Sequence, residues 1–158
     1  MLNILYPDPE WLRILTDRSL LSKAGAGVFS EIFSFYVPVG RGTAFDGEIA
    51  AIRTALYQLQ CHLEKFTRVV ILCDSRAALL AIVSNNNPKT QDILDCRYHP
   101  ENLASLEKTI VLQWVSAPCG VPGNEKADFL AKMGALITQK NISSYTLSLY
   151  QKFHQKIN

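Results

Sequence analysis

The chain has 158 residues, 48% of them hydrophobic and 19% charged, with a formal net charge of +2 at pH 7. This length suits about one domain with a single hydrophobic core. The small charge permits a nucleic-acid partner without indicating one, because such proteins usually carry a concentrated basic patch. No apolar run reaches the roughly 18–20 residues of a membrane span, and the start, MLNILYPDPEW, lacks a signal peptide's basic flank. Composition therefore predicts no membrane partner and a cytoplasmic or nuclear setting.

The cysteines give no sign of a metal site or a disulfide framework. Their positions, Cys61, Cys73, Cys96 and Cys119, show neither C-x-x-C spacing nor the density of a disulfide scaffold. We therefore expect buried, reduced thiols and no structural zinc.

The first third of the chain predicts three strands in an antiparallel meander, at residues 12–16, 26–30 and 32–37. The segment Gly25-Ala-Gly27-Val-Phe-Ser30 resembles the start of a dinucleotide-binding fingerprint. It lacks the third glycine, and strand-like residues rather than a helix follow it. We therefore expect no small-molecule cofactor.

The middle of the chain alternates helix and strand. From Asp46 onward, apolar residues recur at steps of three and four and predict a helix with Glu48 in its first turn. The apolar run at residues 69–73 is typical of a strand buried on both faces, and it stops at Asp74. Residues 75–83 then predict a helix with Ser75 as its N-cap. The apolar positions of the first helix are Ile49, Ile52, Leu56, Leu59 and Leu63.

The last third predicts a polar helix at about residues 90–106 and a strand at 110–115. Trp114, among apolar neighbours, is expected in the core, with a base-stacking role as the alternative. A loop rich in glycine and proline follows, and Asn124 is expected to be the N-cap of the next helix. Beyond a loop at 140–144, apolar residues at helical spacing indicate a partly helical tail.

This order of elements predicts an α/β fold. We expect a mixed five-stranded sheet, its first three strands an antiparallel meander, with helices on both faces. Residues 1–12 are interpreted as an N-terminal extension, 13–136 as the domain, and 137–158 as a C-terminal tail.

Four carboxylates occupy positions from which they can converge at one edge of the sheet. Asp17 and Asp74 follow predicted strands, whereas Glu48 and Asp128 lie in the first turns of predicted helices. Each alone is more simply a turn or capping residue, since Asp and Glu are common there. Together they would repel one another and raise their pKa values, a cost that divalent cations such as Mg²⁺ or Mn²⁺ would offset.

Four motifs around these carboxylates resemble those of type 1 ribonuclease H domains, and retrotransposon-encoded copies in particular. The longest, from Gly120 to Asp128, has the pattern G-x-x-G-N-E-x-A-D after a tryptophan-bearing strand. The other three are Thr16-Asp17-Arg18-Ser19, Asp46-Gly47-Glu48-Ile49-Ala50-Ala51 and Cys73-Asp74-Ser75.

The resemblance implies the ribonuclease H fold and hydrolysis of the RNA strand of RNA/DNA hybrids. It implies two Mg²⁺ ions, with Mn²⁺ as a substitute, to activate water and stabilise the leaving oxygen. A retroelement origin and a place in a reverse-transcriptase polyprotein also follow from it. It assigns catalysis and metal binding to Asp17, Glu48, Asp74 and Asp128, and substrate binding to Ser19, Ser75, Asn124 and Glu125.

Two residues depart from the family pattern near the chemistry. Pro118 stands where the family usually has a histidine that assists leaving-group protonation or product release, so we expect slower turnover. Arg18 stands where it usually has glycine, so we expect either strain from a positive φ or a phosphate contact. The rival hypothesis is a catalytically weakened domain of the same fold that binds nucleic acid. A transposase or integrase core and an unrelated α/β interaction module are further alternatives.

Overall fold

The computed structural model describes residues 5–20, 23–88, 90–116 and 121–137, with a five-stranded sheet at their centre. Its strands are β1 (Leu12–Leu20), β2 (Ala24–Phe29), β3 (Ser34–Gly40), β4 (Arg68–Cys73) and β5 (Thr109–Trp114). Pro118, Cys119, the loop predicted at 140–144 and the predicted helical tail lie outside the described residues.

The strand order is β3-β2-β1-β4-β5. Strands β1 and β2 pair antiparallel, as do β2 and β3, whereas β4 runs parallel to both β1 and β5. The prediction of a mixed sheet that begins with an antiparallel meander is therefore confirmed.

Side chains that satisfy free backbone N–H groups mark where the first three helices begin. Thr43 forms a capping box with Asp46 before the first, and Ser75 and Thr90 cap the next two. Within the described ranges, no helix is long and apolar enough to cross a membrane. The helices there are α1 (Ala44–Gln60), α2 (Arg76–Val83), α3 (Gln91–Ser105) and α4 (Asn124–Ile137), with a 3₁₀ turn at Leu63–Lys65.

The helices cover both faces of the sheet, which confirms the predicted layering. Ile14 and Ile71 pack with residues of α1, α2 and α3 on one face, while Leu15 and Leu72 pack with Leu130 of α4 on the other. Successive strand residues point to opposite faces, so neighbours in β1 and β4 belong to different cores. Each large apolar side chain buried in this way contributes about 1.5–3 kcal/mol.

Strand β1 is longer than the sequence predicts, and Asp17 therefore lies inside it rather than beyond its end. The prediction ends at Thr16, but pairing with β2 continues to Leu20 opposite Ala24. The intervening residues are polar, which favours a turn when they are considered alone. The hydrogen bonds of the ladder hold them extended instead. Strand β2 likewise begins before its predicted start, and β3 begins after its own.

Helix α4 approaches β2 so closely that backbone meets backbone. A Cβ atom added at Gly27 would lie 2.3 Å from the Ala127 carbonyl oxygen, and one at Gly25 would lie 2.1 Å from the Ala135 nitrogen. Only glycine fits such an approach. The paired glycines of this segment therefore serve helix packing.

Cys73 and Cys96 are buried and free, as expected. Cys61 is exposed, so the expectation of burial is wrong for it. It directly follows α1, where the chain turns at the surface.

Gly27→Ala should lower the free energy of unfolding by about 3 kcal/mol, because the added methyl would push the α4 backbone off the sheet. Gly40→Ala is the matched control. Gly40 has a φ of 77° and nothing within 4 Å of an added Cβ, so only the backbone strain of about 1–2 kcal/mol applies. Urea unfolding followed by circular dichroism measures both variants. Equal losses would contradict the close-packing explanation.

Candidate active site

The pairing between β1 and β4 ends near the carboxyl end of β4, whereas β1 continues to Leu20. The two strands pair from Leu12 opposite Val69 to Leu15 opposite Leu72. Beyond that point β1 pairs with β2, and β4 pairs with β5. In α/β sheets, ligands bind outside the carboxyl ends of parallel strands where neighbouring strands diverge.

Three of the four predicted carboxylates meet beside the carboxyl end of β4. Asp17 belongs to β1, Glu48 to α1, and Asp74 directly follows β4. One oxygen from each lies within 4.8 Å of the others. Because α1 begins at Ala44, Glu48 lies just past the first turn in which it was predicted. Three oxygen donors this close suit a hard divalent cation such as Mg²⁺ or Mn²⁺.

Glu48 is fully buried, and one of its oxygens is held firmly. Its Oε1 accepts a hydrogen bond from Thr16 Oγ1 at 2.8 Å and another from Cys73 Sγ at 3.1 Å. Thr16 Oγ1 also lies 3.1 Å from the Leu72 carbonyl oxygen, which links β1 to β4. These contacts fix the orientation of the carboxylate and leave Oε2 available for another partner.

Among the described residues, Glu48 Oε2 and Asp74 Oδ1 are buried carboxylate oxygens without a hydrogen-bond partner. Leaving a buried polar atom unpaired costs about 1–3 kcal/mol, and more when it is charged. Folded proteins rarely tolerate such atoms without a reason. A cation bound by the three carboxylates would satisfy both oxygens. The residues present therefore fit a divalent metal.

Burial raises the pKa values of two of the three carboxylates, Asp17 and Glu48. Desolvation is the main cause that raises the pKa of Asp17 to about 6; neighbouring carboxylates add to the rise, and the hydrogen bond from the Arg18 N–H opposes it. Desolvation also raises the pKa of Glu48, against the two hydrogen bonds that its carboxylate accepts. Shifted pKa values in a group of neighbouring carboxylates are typical of functional sites.

Asp128 lies outside this group of three. Helix α4 begins at Asn124, so Asp128 is in the second turn rather than the predicted first. Its Oδ2 pairs with Lys132 Nζ at 2.7 Å. Its charge still contributes to the raised pKa of Asp17, so the two carboxylates are electrostatic neighbours. An exposed ion pair of this kind contributes little to the free energy of folding. Asp128 could therefore release Lys132 and bind another cation at little cost in stability.

Arg18 has the extended backbone of an ordinary strand residue, so the expectation of backbone strain there is wrong. Among the non-glycine residues that the structure describes, positive φ occurs at Glu107, whereas Arg18 pairs with Ala26 in the ladder. Its Nη1 lies 3.7 Å from Asp74 Oδ1. Arg18 therefore contacts the acidic group directly.

The residues predicted to bind substrate are placed as follows, and their substrate contacts stay predictions. Ser19 is buried in β1, and Ser75 Oγ accepts the Ala78 N–H as the cap of α2. Asn124 is the first residue of α4 rather than its N-cap, because the carbonyl of the preceding Gly123, which has a φ of 92°, accepts a hydrogen bond from the Ala127 N–H. Glu125 is exposed.

Trp114 has a role that sequence reasoning missed. It is 42% exposed, and its indole N–H donates to the Asp74 backbone carbonyl at 3.2 Å. The prediction of a core position is wrong because Trp114 ends β5, an edge strand of the sheet. The position of Trp114 directly before the glycine-rich loop was the sequence signal that it ends its strand.

Thr16 and Cys73 were also missed as donors to Glu48. Each directly precedes one of the acidic residues, Asp17 or Asp74, within a motif. Their spacing alone gives no sign that both reach the same carboxylate oxygen.

A mixed sheet of this order, with a group of three carboxylates beside the ends of β1 and β4, defines a ribonuclease H-like α/β domain. The sequence profile of the RNase H family matches residues 10–136, and the chain therefore belongs to that family. No curated protein matches the chain.

Solved structures confirm the fold. RNase H1 from the halophilic archaeon Halobacterium salinarum NRC-1 is 18% identical with a TM-score of 0.60, and the match covers 80% of this chain and 97% of that one. The N-terminal RNase H domain of a Mycobacterium tuberculosis protein is 20% identical with a TM-score of 0.58, and the match covers 82% of this chain and 96% of that one. The prototype foamy virus protease-reverse transcriptase is 21% identical with a TM-score of 0.59, and the match covers 78% of this chain and 20% of that one.

In metal-free buffer, Asp17→Asn should raise the free energy of unfolding at pH 8 by about 1–3 kcal/mol. The native carboxyl holds its proton up to about pH 6, whereas the ordinary pKa is 3.8. The stabilisation from this protonated form is complete below about pH 4 and is lost as the pH rises through 6. The advantage of the variant should therefore emerge across that range, as measured by urea unfolding with EDTA.

Asp95→Asn is the control of opposite sign. Hydrogen bonds from Gln91 and Arg53 lower the pKa of Asp95, so its contribution to stability is present at neutral pH and is lost on acidification. This variant should be no more stable than the native protein at pH 8. An Asp17→Asn variant that also gains nothing at pH 8 would contradict the raised pKa.

Proposed function

We propose that the chain is a metal-dependent endonuclease that hydrolyses the RNA strand of RNA/DNA hybrids. The observation that carries this proposal is the convergence of Asp17, Glu48 and Asp74 together with two buried carboxylate oxygens that lack a hydrogen-bond partner. Membership of the RNase H family supports the hydrolase class and the nucleic-acid substrate.

In this proposal Asp17, Glu48 and Asp74 hold Mg²⁺, or Mn²⁺ in its place, and Asp128 joins them by exchanging Lys132 for metal. Two bound ions would supply an activated water on one side of the phosphodiester and charge stabilisation of the leaving oxygen on the other. Asp128 is suited to this part because its ion pair is exposed.

The remaining work of the chain is to hold these donors in place. Thr16 and Cys73 fix one oxygen of Glu48, so the other is directed without rotamer freedom. Trp114 holds the backbone at Asp74 through its indole N–H. Side chains locked by packing and hydrogen bonds cost less to organise when substrate binds.

We further propose that Ser19, Ser75, Asn124 and Glu125 contact the hybrid, and that residues 13–136 form the catalytic unit. A retroelement origin, with the domain inside a reverse-transcriptase polyprotein, is part of the same proposal. The likeness to the foamy virus protease-reverse transcriptase, of which the match covers 20%, is consistent with it.

The purified protein should cleave a labelled RNA/DNA hybrid in Mg²⁺ or Mn²⁺ and not in EDTA. Asp17→Asn and Asp74→Asn should each lower the rate at least about 100-fold, because loss of a carboxylate ligand removes several kcal/mol of transition-state stabilisation. Binding of the hybrid should persist, since the amide keeps the side-chain shape. Asp95→Asn is the control, because Asp95 pairs with Arg53 outside the acidic group and should leave cleavage unchanged.

A second candidate function is a domain of the same fold that binds nucleic acid without useful cleavage. The observation that favours it is that two of the four carboxylates are already paired, Asp74 with Arg18 and Asp128 with Lys132. Tight hybrid binding without cleavage in either metal would support this candidate. Asn variants that cleave as fast as the native chain would show instead that the proposed metal site is wrong.

A further inference from the structure

The acidic group already contains a positive charge of its own, the Arg18 guanidinium. Building on the metal-dependent function above, we propose that Arg18 is a resident counter-charge that competes with the second divalent cation for the acidic group. The native group then binds one divalent ion tightly and a second one only weakly. Arg18 is a positioning residue that acts through Asp74.

Three features hold Arg18 at the group. Its Nη1 lies 3.7 Å from Asp74 Oδ1, one of the two buried carboxylate oxygens without a hydrogen-bond partner. Gly47 of α1 makes room for its stem, since a Cβ there would lie 3.1 Å from Arg18 Cβ. The Arg18 N–H donates to Asp17 Oδ1 at 2.8 Å. One residue therefore contacts two of the three carboxylates.

The length of the Arg18–Asp74 contact shows that it is an ion pair and not a full hydrogen bond. An N–H···O bond spans about 2.7–3.2 Å, so at 3.7 Å Asp74 Oδ1 is neutralised without being satisfied. A divalent ion carries twice the charge of a guanidinium and binds carboxylate oxygens directly. The two side chains are 35% and 25% exposed, which weakens their pairing. The guanidinium therefore competes with a metal ion without excluding it.

Charge balance gives the expected stoichiometry. While Lys132 neutralises Asp128, the acidic group has the three negative charges of its ionised carboxylates. Arg18 reduces the net charge to two negative charges, which one divalent ion neutralises. Without Arg18, the group stays negative after the first ion binds and attracts a second. Arg18 also opposes the rise in the pKa of Glu48 that desolvation causes, so its field reaches the third carboxylate.

Binding of Mn²⁺ to the full chain, followed by calorimetry and by the electron paramagnetic resonance signal of free Mn²⁺, tests this inference without hydrolysis. Arg18→Gln should bind the second ion roughly tenfold tighter than the native chain, because the local charge becomes one unit more negative. Arg18→Met removes the same charge and should repeat the result. Arg18→Lys keeps the charge and should restore the native binding curve.

Arg68→Gln is the matched control for net charge. Arg68 begins β4 and Asp74 follows its end, so the two lie about 20 Å apart at roughly 3.3 Å per residue. This variant should bind Mn²⁺ as the native chain does. A gain as large as that of Arg18→Gln would show that overall charge, and not Arg18, sets the affinity, and would overturn the inference.

Two further outcomes would also overturn it. One is Mn²⁺ binding by both neutral variants that is no tighter than native. The other is loss of hybrid affinity with unchanged Mn²⁺ binding, which would assign Arg18 to a substrate phosphate. Failure of the proposed function remains distinguishable. Tighter Mn²⁺ binding by the neutral Arg18 variants without hybrid cleavage would contradict the nuclease proposal alone. Absence of Mn²⁺ binding in the native and variant chains would contradict both the nuclease proposal and the role of Arg18.

Discussion

A carboxylate without exposed surface, that of Glu48, is the constraint on which the site depends. A buried charge is tolerated only with compensating partners. Two donors supply part of that compensation, the hydroxyl of Thr16 in β1 and the thiol of Cys73 at the end of β4. The parallel pairing of β1 with β4, the seating of α1 and the direction of the acid therefore depend on one another. The oxygen left over makes this core position a candidate ligand.

Most of the fold could be predicted because its strongest signals are local. The apolar steps of α1 and the apolar run of β4 each follow from the geometry of one element. The polar end of β1 could not be predicted, since its extended form comes from pairing with β2. Edge position is also decided by topology, which explains why Trp114 was expected in the core.

The sequence predicts which residues form the candidate site better than it predicts the contacts that they make. Motif resemblance selects Asp17, Glu48 and Asp74, and the structure brings them together. The ion pairs of Arg18 and Lys132 join a cation to an acid within one sheet edge or one helix turn. The Arg18–Asp74 pair depends on side-chain direction, which no spacing rule contains, whereas the Asp128–Lys132 pair has the i,i+4 spacing of a helical ion pair.

The Thr16 hydroxyl links parts of the chain that are far apart in sequence, since its two partners lie 32 and 56 residues away. The meander of β1, β2 and β3 closes short loops, whereas pairing β1 with β4 requires the chain to pass through α1 first. Contacts of such separation slow folding, because loop-closure entropy is lost before they form. During synthesis, a chain that has emerged only as far as β3 contains Asp17 and Thr16 but none of the partners that make them a site.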